Sequence, residues 1–379
     1  MRSKVGLEGA IRFTKWAVFL ACTWPPSRKA TKCEFVKRDF ILCLSILHIL
    51  CLFILLINSI ATYVTDPVVL TEIATLCSVC VVYIWKAIIS RLHRKQFQIL
   101  ITDMEEFSRS CCKEERHIIQ GYIDNCWIFH LMISCLFYYA ATALIVIFFV
   151  NSEQKMIVTV AYPFSTESNV PYHLVLLHQT IFVYQISATC TVDCQVAIIL
   201  WFAGARLEIL AEETKCFSNI SQIVLFIKKH NQLLSYANSI AKIMPYVTFV
   251  TTGTCGVAAI GVSIQIVADP SLSVIMHFGP ALIALLLNLT ISIWPAENMM
   301  RVCDLVGEAA YNVRWPDMSP KMMKYVLIIL QRSQRPVQVS FGGFLPPLSF
   351  RFYSSFLTTI FSYFTTLRLA MSVGIESSH

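Results

Sequence analysis

The sequence predicts an all-α membrane protein: seven transmembrane helices, the N-terminus cytosolic, the C-terminus extracellular, and helical extensions on the cytosolic side. Three observations predict it. Of 379 residues, 56% are hydrophobic and only 14% charged, with mean hydropathy +0.64, whereas a soluble domain carries about 25% charge. Seven stretches are apolar for about the 20 residues that a ~30 Å hydrocarbon core requires. Finally, the basic residues collect on alternate sides of those stretches, which is the asymmetry that fixes orientation.

Residues 1–39 form a cytosolic N-terminal segment. Trp16 to Trp24 is a short apolar stretch behind basic residues, and it ends in Trp24-Pro25-Pro26 rather than in the small residues of a cleavage site. It reads as an interfacial helix, with Trp16 and Trp24 at headgroup depth. Residues 40–65 carry no charge and make the first span. Residues 67–85 carry only Glu72 and make the second, joined to the first by Asp66-Pro67. The third span, 127–150, is uncharged. The fourth, 172–192, runs on past Asp193 to Gly204 as one long helix. The fifth and sixth, 243–268 and 271–296, form a hairpin around Asp269-Pro270. The seventh, 344–371, holds Arg351 and Arg368 near its two ends.

Orientation follows from lysine and arginine. Residues 1–39 hold nine, 86–124 seven, 205–242 five and 297–335 six. The intervening loops hold one, Lys155, and the tail 372–379 none. The basic side is cytosolic. Its segments 86–126, 203–242 and 297–343 read as helices that build a cytosolic bundle. Ile220, Ile223, Val224 and Ile227, for example, fall near a helical stripe. The domain plan is therefore 1–39, then six spans over 40–296, a cytosolic helical segment over 297–343, and the seventh helix with a short outer tail over 344–379. With the basic residues explained by topology, the net charge of +7 does not point to nucleic acid.

Enzyme chemistry is not expected. The sequence holds no Gly-rich phosphate loop, HExxH or GxSxG. Cys77 and Cys80 have zinc-like spacing but lie within a span with no second pair, so neither metal nor cofactor is expected. Other cysteines in apolar runs, such as Cys43, Cys51 and Cys255, act as small hydrophobes. His48, His130, His173, His178 and His277 are scattered and read as packed or interfacial. Charges inside a membrane are functional candidates by default. Glu72 lies about one turn from the outer face and reads as a solvated carboxylate. Asp193 sits at the cytosolic boundary or pairs with a polar group of a neighbouring helix. The sequence offers no internal repeat and no deep charge pair, which weighs against a transporter.

Two patterns suggest function. In the last span Ser355, Thr358/Thr359, Ser362 and Thr365/Thr366 recur every three or four residues, which puts hydroxyls on one helix face. Phe356, Leu357, Ile360, Phe361, Phe364 and Leu367 take the other. Such a stripe suits a water-filled pore lined by one helix from each of several subunits; the alternative is hydroxyls bonded back to their own helix or to neighbours. In the outer halves of the second, third, fourth and sixth spans, Tyr83, Phe137, Tyr138, Tyr139, Phe182, Tyr184, Gln185, Met276, His277 and Phe278 offer an apolar cavity with a few polar groups to orient a small ligand.

The C-terminal third resembles the insect odorant receptor family. Gln331-Arg332-Ser333-Gln334-Arg335-Pro336-Val337 looks like the family's basic stretch before its last helix, followed by Gly342-Gly343, Leu348-Ser349-Phe350 and Phe352. Ser362-Tyr363-Phe364-Thr365-Thr366-Leu367-Arg368 is similar to its closing signature. Tyr311, Trp315-Pro316 and the run Lys229 to Leu234 agree as well. The resemblance implies an odorant-tuning subunit of a ligand-gated, non-selective cation channel, assembled as a tetramer with a shared co-receptor subunit. It implies that residues 297–343 anchor the subunits, that small volatile odorants bind in the outer half, and that the chain lies in the plasma membrane of olfactory dendrites, among lipid. It makes Ser355, Thr358, Ser362, Thr365, Thr366 and Leu369 pore-lining, with Thr366 and Leu369 near the constriction. Thr366 stands where the family more often carries an aliphatic residue. A gustatory-type channel would close on a different aromatic motif. A G-protein-coupled receptor would have the opposite orientation, and this chain lacks both an outer-loop cysteine and an Asn-Pro-x-x-Tyr sequence.

Overall fold

The structure, a computed structural model, describes residues 5–150, 156–164, 168–268, 270–340 and 346–376. Side chains at 67, 169, 273, 274, 276–278, 280, 281 and 370–376 are outside the described set. Its helices are α1 (Leu7–Ala17), α2 (Lys32–Thr62), α3 (Pro67–Leu92), α4 (Arg94–Ser110), α5 (Lys113–Val150), α6 (Asn169–Cys190), α7 (Val192–Glu213), α8 (Ile220–Ala241), α9 (Met244–Ala268), α10 (Leu272–Tyr311), α11 (Pro320–Ser333) and α12 (Phe350–Glu376). Apolar runs become helices because lipid offers the backbone no hydrogen-bond partner. The seven spans are α2, α3, α5, the pair α6–α7, α9, α10 and α12. Among the described residues six segments are long and apolar enough to cross by composition. The remaining helix, α12, has the length, and its serines and threonines make it less apolar.

Local signals set several boundaries. Thr31 and Glu34 form a capping box that starts α2: each accepts the other's backbone N–H, at 3.1 and 3.3 Å. Asp66 Oδ1 accepts from the N–H groups of Val68 and Val69 and opens α3, with Pro67 in the first turn. This is the expected tight turn. The second hairpin turn contains Asp269, which lies outside the described residues. Helices α5 and α10, at 38 and 40 residues, run about 57 and 60 Å. That is longer than the ~30 Å core, so their extra turns project at the end where lysine and arginine concentrate, here called the basic end. There they pack with α4, α8 and α11 around Phe97, Met104, Phe226, Val306 and Val326.

Helix α7 is the axis of the bundle. It is buried from Val192 to Ala205, and it packs most extensively on α10, then on α5 and α8. Gly204 lets α10 come close. A Cβ there would lie 2.9 Å from Asn298 Nδ2 and 3.4 Å from Tyr122 Cε1. Helix α3 packs on α9 and α2, and α12 lies against α9 and α10. A second apolar core, holding Leu52, Leu56, Ile73, Tyr83 and Phe182, fills the half opposite the basic end.

Three sequence expectations need correction. The long fourth helix is broken at Thr191, whose hydroxyl donates to the carbonyls of Ala188 (2.7 Å) and Ala17 (2.9 Å). An apolar run without Pro or Gly gives no sign of such a break. The second span does not end at residue 85: α3 continues to Leu92, and Lys86 is buried among the membrane helices rather than in a cytosolic helical extension. Finally, the N-terminal segment enters the bundle. Trp16 is 72% exposed, but Trp24 is only 7% exposed and is covered by protein. Ala17 accepts from Tyr138 of the third span at 2.6 Å, Cys22 turns the chain with φ 57°, and Thr23 donates to Gln195 at 2.9 Å. Those hydrogen bonds hold the N-terminal segment against the helices and cover Trp24.

Candidate functional site

Two polar clusters lie among the membrane helices, where lipid and apolar side chains leave no water to satisfy stray groups. The first joins α2, α3 and α6. Gln185 Nε2 donates to Ser45 Oγ at 2.7 Å, and Ser45 Oγ lies 2.6 Å from the Tyr83 hydroxyl. Gln185 Oε1 lies 2.8 Å from His48 Nδ1. The His48 ring meets the His178 ring at 4.3 Å between centroids, with the planes at 60°. The histidines that seem scattered in the sequence are therefore, in this one case, adjacent. Nε2 of His48 and Nε2 of His178 are buried without a hydrogen-bond partner.

The segment between α5 and α6 closes the bundle beside this cluster. Fully buried Gln179 accepts from the Val158 N–H (3.1 Å) and donates to the Val158 carbonyl (3.0 Å) and the Tyr162 hydroxyl (3.2 Å). The Ala161 N–H donates to Ser59 Oγ at 2.7 Å. Val158 and Val160 are buried in the same core as Tyr83 and Phe182.

The second cluster is an ion pair. Lys86 Nζ lies 2.7 Å from Asp193 Oδ2, with side-chain exposures of 2% and 0%. Lys86 also donates to the Thr189 carbonyl at 3.3 Å. Asp193 accepts from Asn288 at 2.9 Å and from Thr251 at 3.3 and 3.4 Å. The pair thus ties α3, α7, α9 and α10 together, and it overturns the expectation that no deep charge pair exists. Of the two alternatives for Asp193, pairing with a neighbouring helix is the one realised. Sequence reading missed Lys86 because it stands one residue beyond the apolar run taken as the second span. The available signal was two opposite charges, each embedded in a separate apolar segment.

The predicted ligand residues divide. Tyr83, Phe182 and Gln185 come together in the first cluster and its core. Tyr184 packs against that core, stacks on Tyr138 and bonds Thr142 at 3.1 Å. Phe137 packs instead on the core that continues to the basic end, and its carbonyl accepts from Ser187 at 3.0 Å. Tyr139 is 72% exposed and joins neither. The side chains of Met276, His277 and Phe278 lie outside the described residues. A cavity of about 260 Å³ opens at the basic end between α1, α4 and α5, and none of the predicted ligand residues lines it.

Helix α12 turns its hydroxyl stripe away from the bundle. Ser355, Thr358, Ser362, Thr366 and Leu369 are exposed and Thr365 is half-buried, while Phe356, Leu357, Ile360, Phe364 and Leu367 are half-buried toward the other helices. Phe361 is exposed, unlike the rest of the face expected to be apolar. The hydroxyls of Thr358, Thr359, Thr365 and Thr366 donate to carbonyls three or four residues back. That satisfies their donors and leaves their oxygens outward.

A family model described as 7tm odorant receptor matches residues 66–361. Odorant receptor Or2 of Anopheles gambiae is 22% identical over 142 residues, and odorant receptor 10 of Aedes albopictus 21% over 147. These matches cover 38% and 39% of this chain, and 37% and 39% of the relatives' own lengths. The chain therefore aligns with little more than a third of either relative. Among solved structures, the insect olfactory receptor OR5 of Machilis hrabei superposes with a TM-score of 0.80 at 14% identity, over 94% of this chain and 98% of that one. The same receptor in complex with eugenol gives 0.78 at 15% identity, over 96% and 99%. At such identities the likeness concerns the fold.

Proposed function

The chain belongs to the insect odorant receptor family, which is not a family of enzymes, and on that premise we propose that it is the odorant-binding subunit of a heteromeric, ligand-gated, non-selective cation channel that works with a shared co-receptor. The observation that carries this reading is α12. A helix that buries its apolar side on α9 and α10 and turns hydroxyls outward is poorly suited to lipid and well suited to a wet pore completed by other subunits. Ser355, Thr358, Ser362, Thr365 and Thr366 line that pore, and Thr366 and Leu369 stand near its constriction. The basic end is cytosolic, residues 297–343 anchor neighbouring subunits, and the chain works in the plasma membrane of olfactory dendrites.

The ligand is a small volatile, bound in the half opposite the basic end near Tyr83, Phe182, Tyr184 and Gln185. The superposing receptor holds eugenol, which makes eugenol a reasonable first probe. Ligand contacts favour the conformation in which the last helices splay, by no more than the ligand's difference in affinity between the two states. The test is electrophysiology with and without a co-receptor. Odorant-evoked cation currents that need the co-receptor, and whose ion selectivity or block changes in Thr366→Val, are expected. Currents abolished by disabling G proteins would refute the channel reading.

A further inference from the structure

We propose that His48 and His178 form a recognition site for a ligand hydroxyl group, so that the compounds bound best are alcohols and phenols. This rests on the reading of the chain as an odorant receptor and narrows its ligand class. His48 Nδ1 faces Gln185 Oε1 at 2.8 Å. A carbonyl oxygen only accepts, so Nδ1 carries the proton, and Nε2 of this neutral imidazole is left with a lone pair. The amide is held in that orientation by its Nε2, which donates to Ser45 at 2.7 Å, and Ser45 is held in turn by Tyr83 at 2.6 Å. With the amide oxygen turned to Nδ1, His48 presents Nε2 as an acceptor.

That acceptor has no donor. Nε2 of His48 is buried and unpartnered, and so is Nε2 of His178 on the facing helix. Buried polar atoms are normally satisfied by protein or by an occupant. The ring centroids are 4.3 Å apart, so the two unpartnered nitrogens belong to one small site. A hydroxyl meets this acceptor: its O–H donates to His48 Nε2, and its oxygen lies beside the second unpartnered nitrogen, Nε2 of His178. Ketones, esters and ethers only accept, and they leave His48 unmet. A carboxylate has no proton for it, and an alkane meets neither nitrogen. The two nitrogens are covered, and the rings that carry them border the lipid-facing side of the bundle. Both histidines are half-buried, and Leu44, Leu47, Leu174 and Leu177, their neighbours on α2 and α6, face outward. A volatile dissolved in the bilayer meets this pair from the side.

The test uses the purified full chain in lipid nanodiscs and matched probes: octan-1-ol, octan-2-one and octane, and eugenol with its methyl ether. Affinity is read from the shift in thermal midpoint across a concentration series. The alcohol and the phenol are expected to bind roughly 10- to 100-fold tighter than their partners, the scale of one buried hydrogen bond left unmade. His48→Leu and His178→Leu should collapse that ratio to about 1. His48→Gln, whose side-chain oxygen still accepts, should keep most of it. A ratio unchanged in both leucine variants would overturn the proposal, since the nitrogens would then hold only buried water. Binding of all probes without hydroxyl preference would overturn it and leave the odorant-binding reading intact. If no probe bound, the odorant-binding reading itself would fall.

Discussion

Replacing Lys86 with methionine removes a cation from a place where water cannot stand in for it. The ammonium is 2.7 Å from Asp193, and the two side chains are 2% and 0% exposed. Without it, the carboxylate keeps a 2.9 Å bond from Asn288 and longer bonds from Thr251. An amide and a hydroxyl solvate a carboxylate but do not neutralise it. The expected cost is therefore that of a buried charge stripped of its partner, about 3–5 kcal/mol, or roughly a hundredfold to several thousandfold in the folded fraction. Asp193→Asn strands the ammonium and should cost a similar amount. The double variant, Lys86→Met with Asp193→Asn, leaves a neutral amide for Asn288 and Thr251 to bond, and it should recover most of the loss. The assay is the thermal midpoint and denaturant stability of the purified chain in nanodiscs, read as a double-mutant cycle. Strongly non-additive losses are expected. Single variants within about 1 kcal/mol of wild type, or losses that simply add, would refute the argument that this pair fastens four helices together.

Other variants probe the packing and the closure of the bundle. Gly204→Ala places a methyl 2.9 Å from Asn298 Nδ2 and 3.4 Å from a Tyr122 ring carbon. It should cost about 1–3 kcal/mol by forcing α7 and α10 apart, seen as a lower thermal midpoint; an unchanged midpoint would show that Asn298 simply moves aside. Gln179→Leu leaves both backbone groups of Val158 unmet, at about 1–3 kcal/mol each. Hydrogen exchange over residues 156–162 should accelerate while exchange in α7 stays slow; equal acceleration everywhere would mean global destabilisation instead. In the assembled channel, Thr366→Val should alter ion selectivity or pore block with little effect on the odorant concentration needed for half-activation.

The sequence was legible wherever a property accumulates along one helix. Spans α2, α3, α5, α9 and α10 could be located because twenty apolar residues in a row have few other uses. The Asp66-Pro67 turn could be read because capping acts over two or three residues. The hydroxyl face of α12 could be read because helical period alone places every third or fourth residue on one side. Tyr83, Phe182 and Gln185 could be chosen by depth, while Tyr139, at the same depth, is exposed, because depth says nothing of which way a side chain faces.

Contacts between helices were another matter. Lys86 and Asp193 are 107 residues apart, and His48 and Gln185 are 137. Whether such groups meet depends on which helices are neighbours and on their rotation, and no local pattern encodes either. The break at Thr191 and the burial of Trp24 have the same origin, since both arise where the N-terminal segment folds back into the bundle. Composition, span length and charge asymmetry by themselves determined that this is a seven-helix membrane protein with one hydroxylated helix. Only the tertiary structure decided which buried polar groups find partners and which, like Nε2 of His48 and of His178, do not, because pairing in a medium without water is settled by the packing of distant segments.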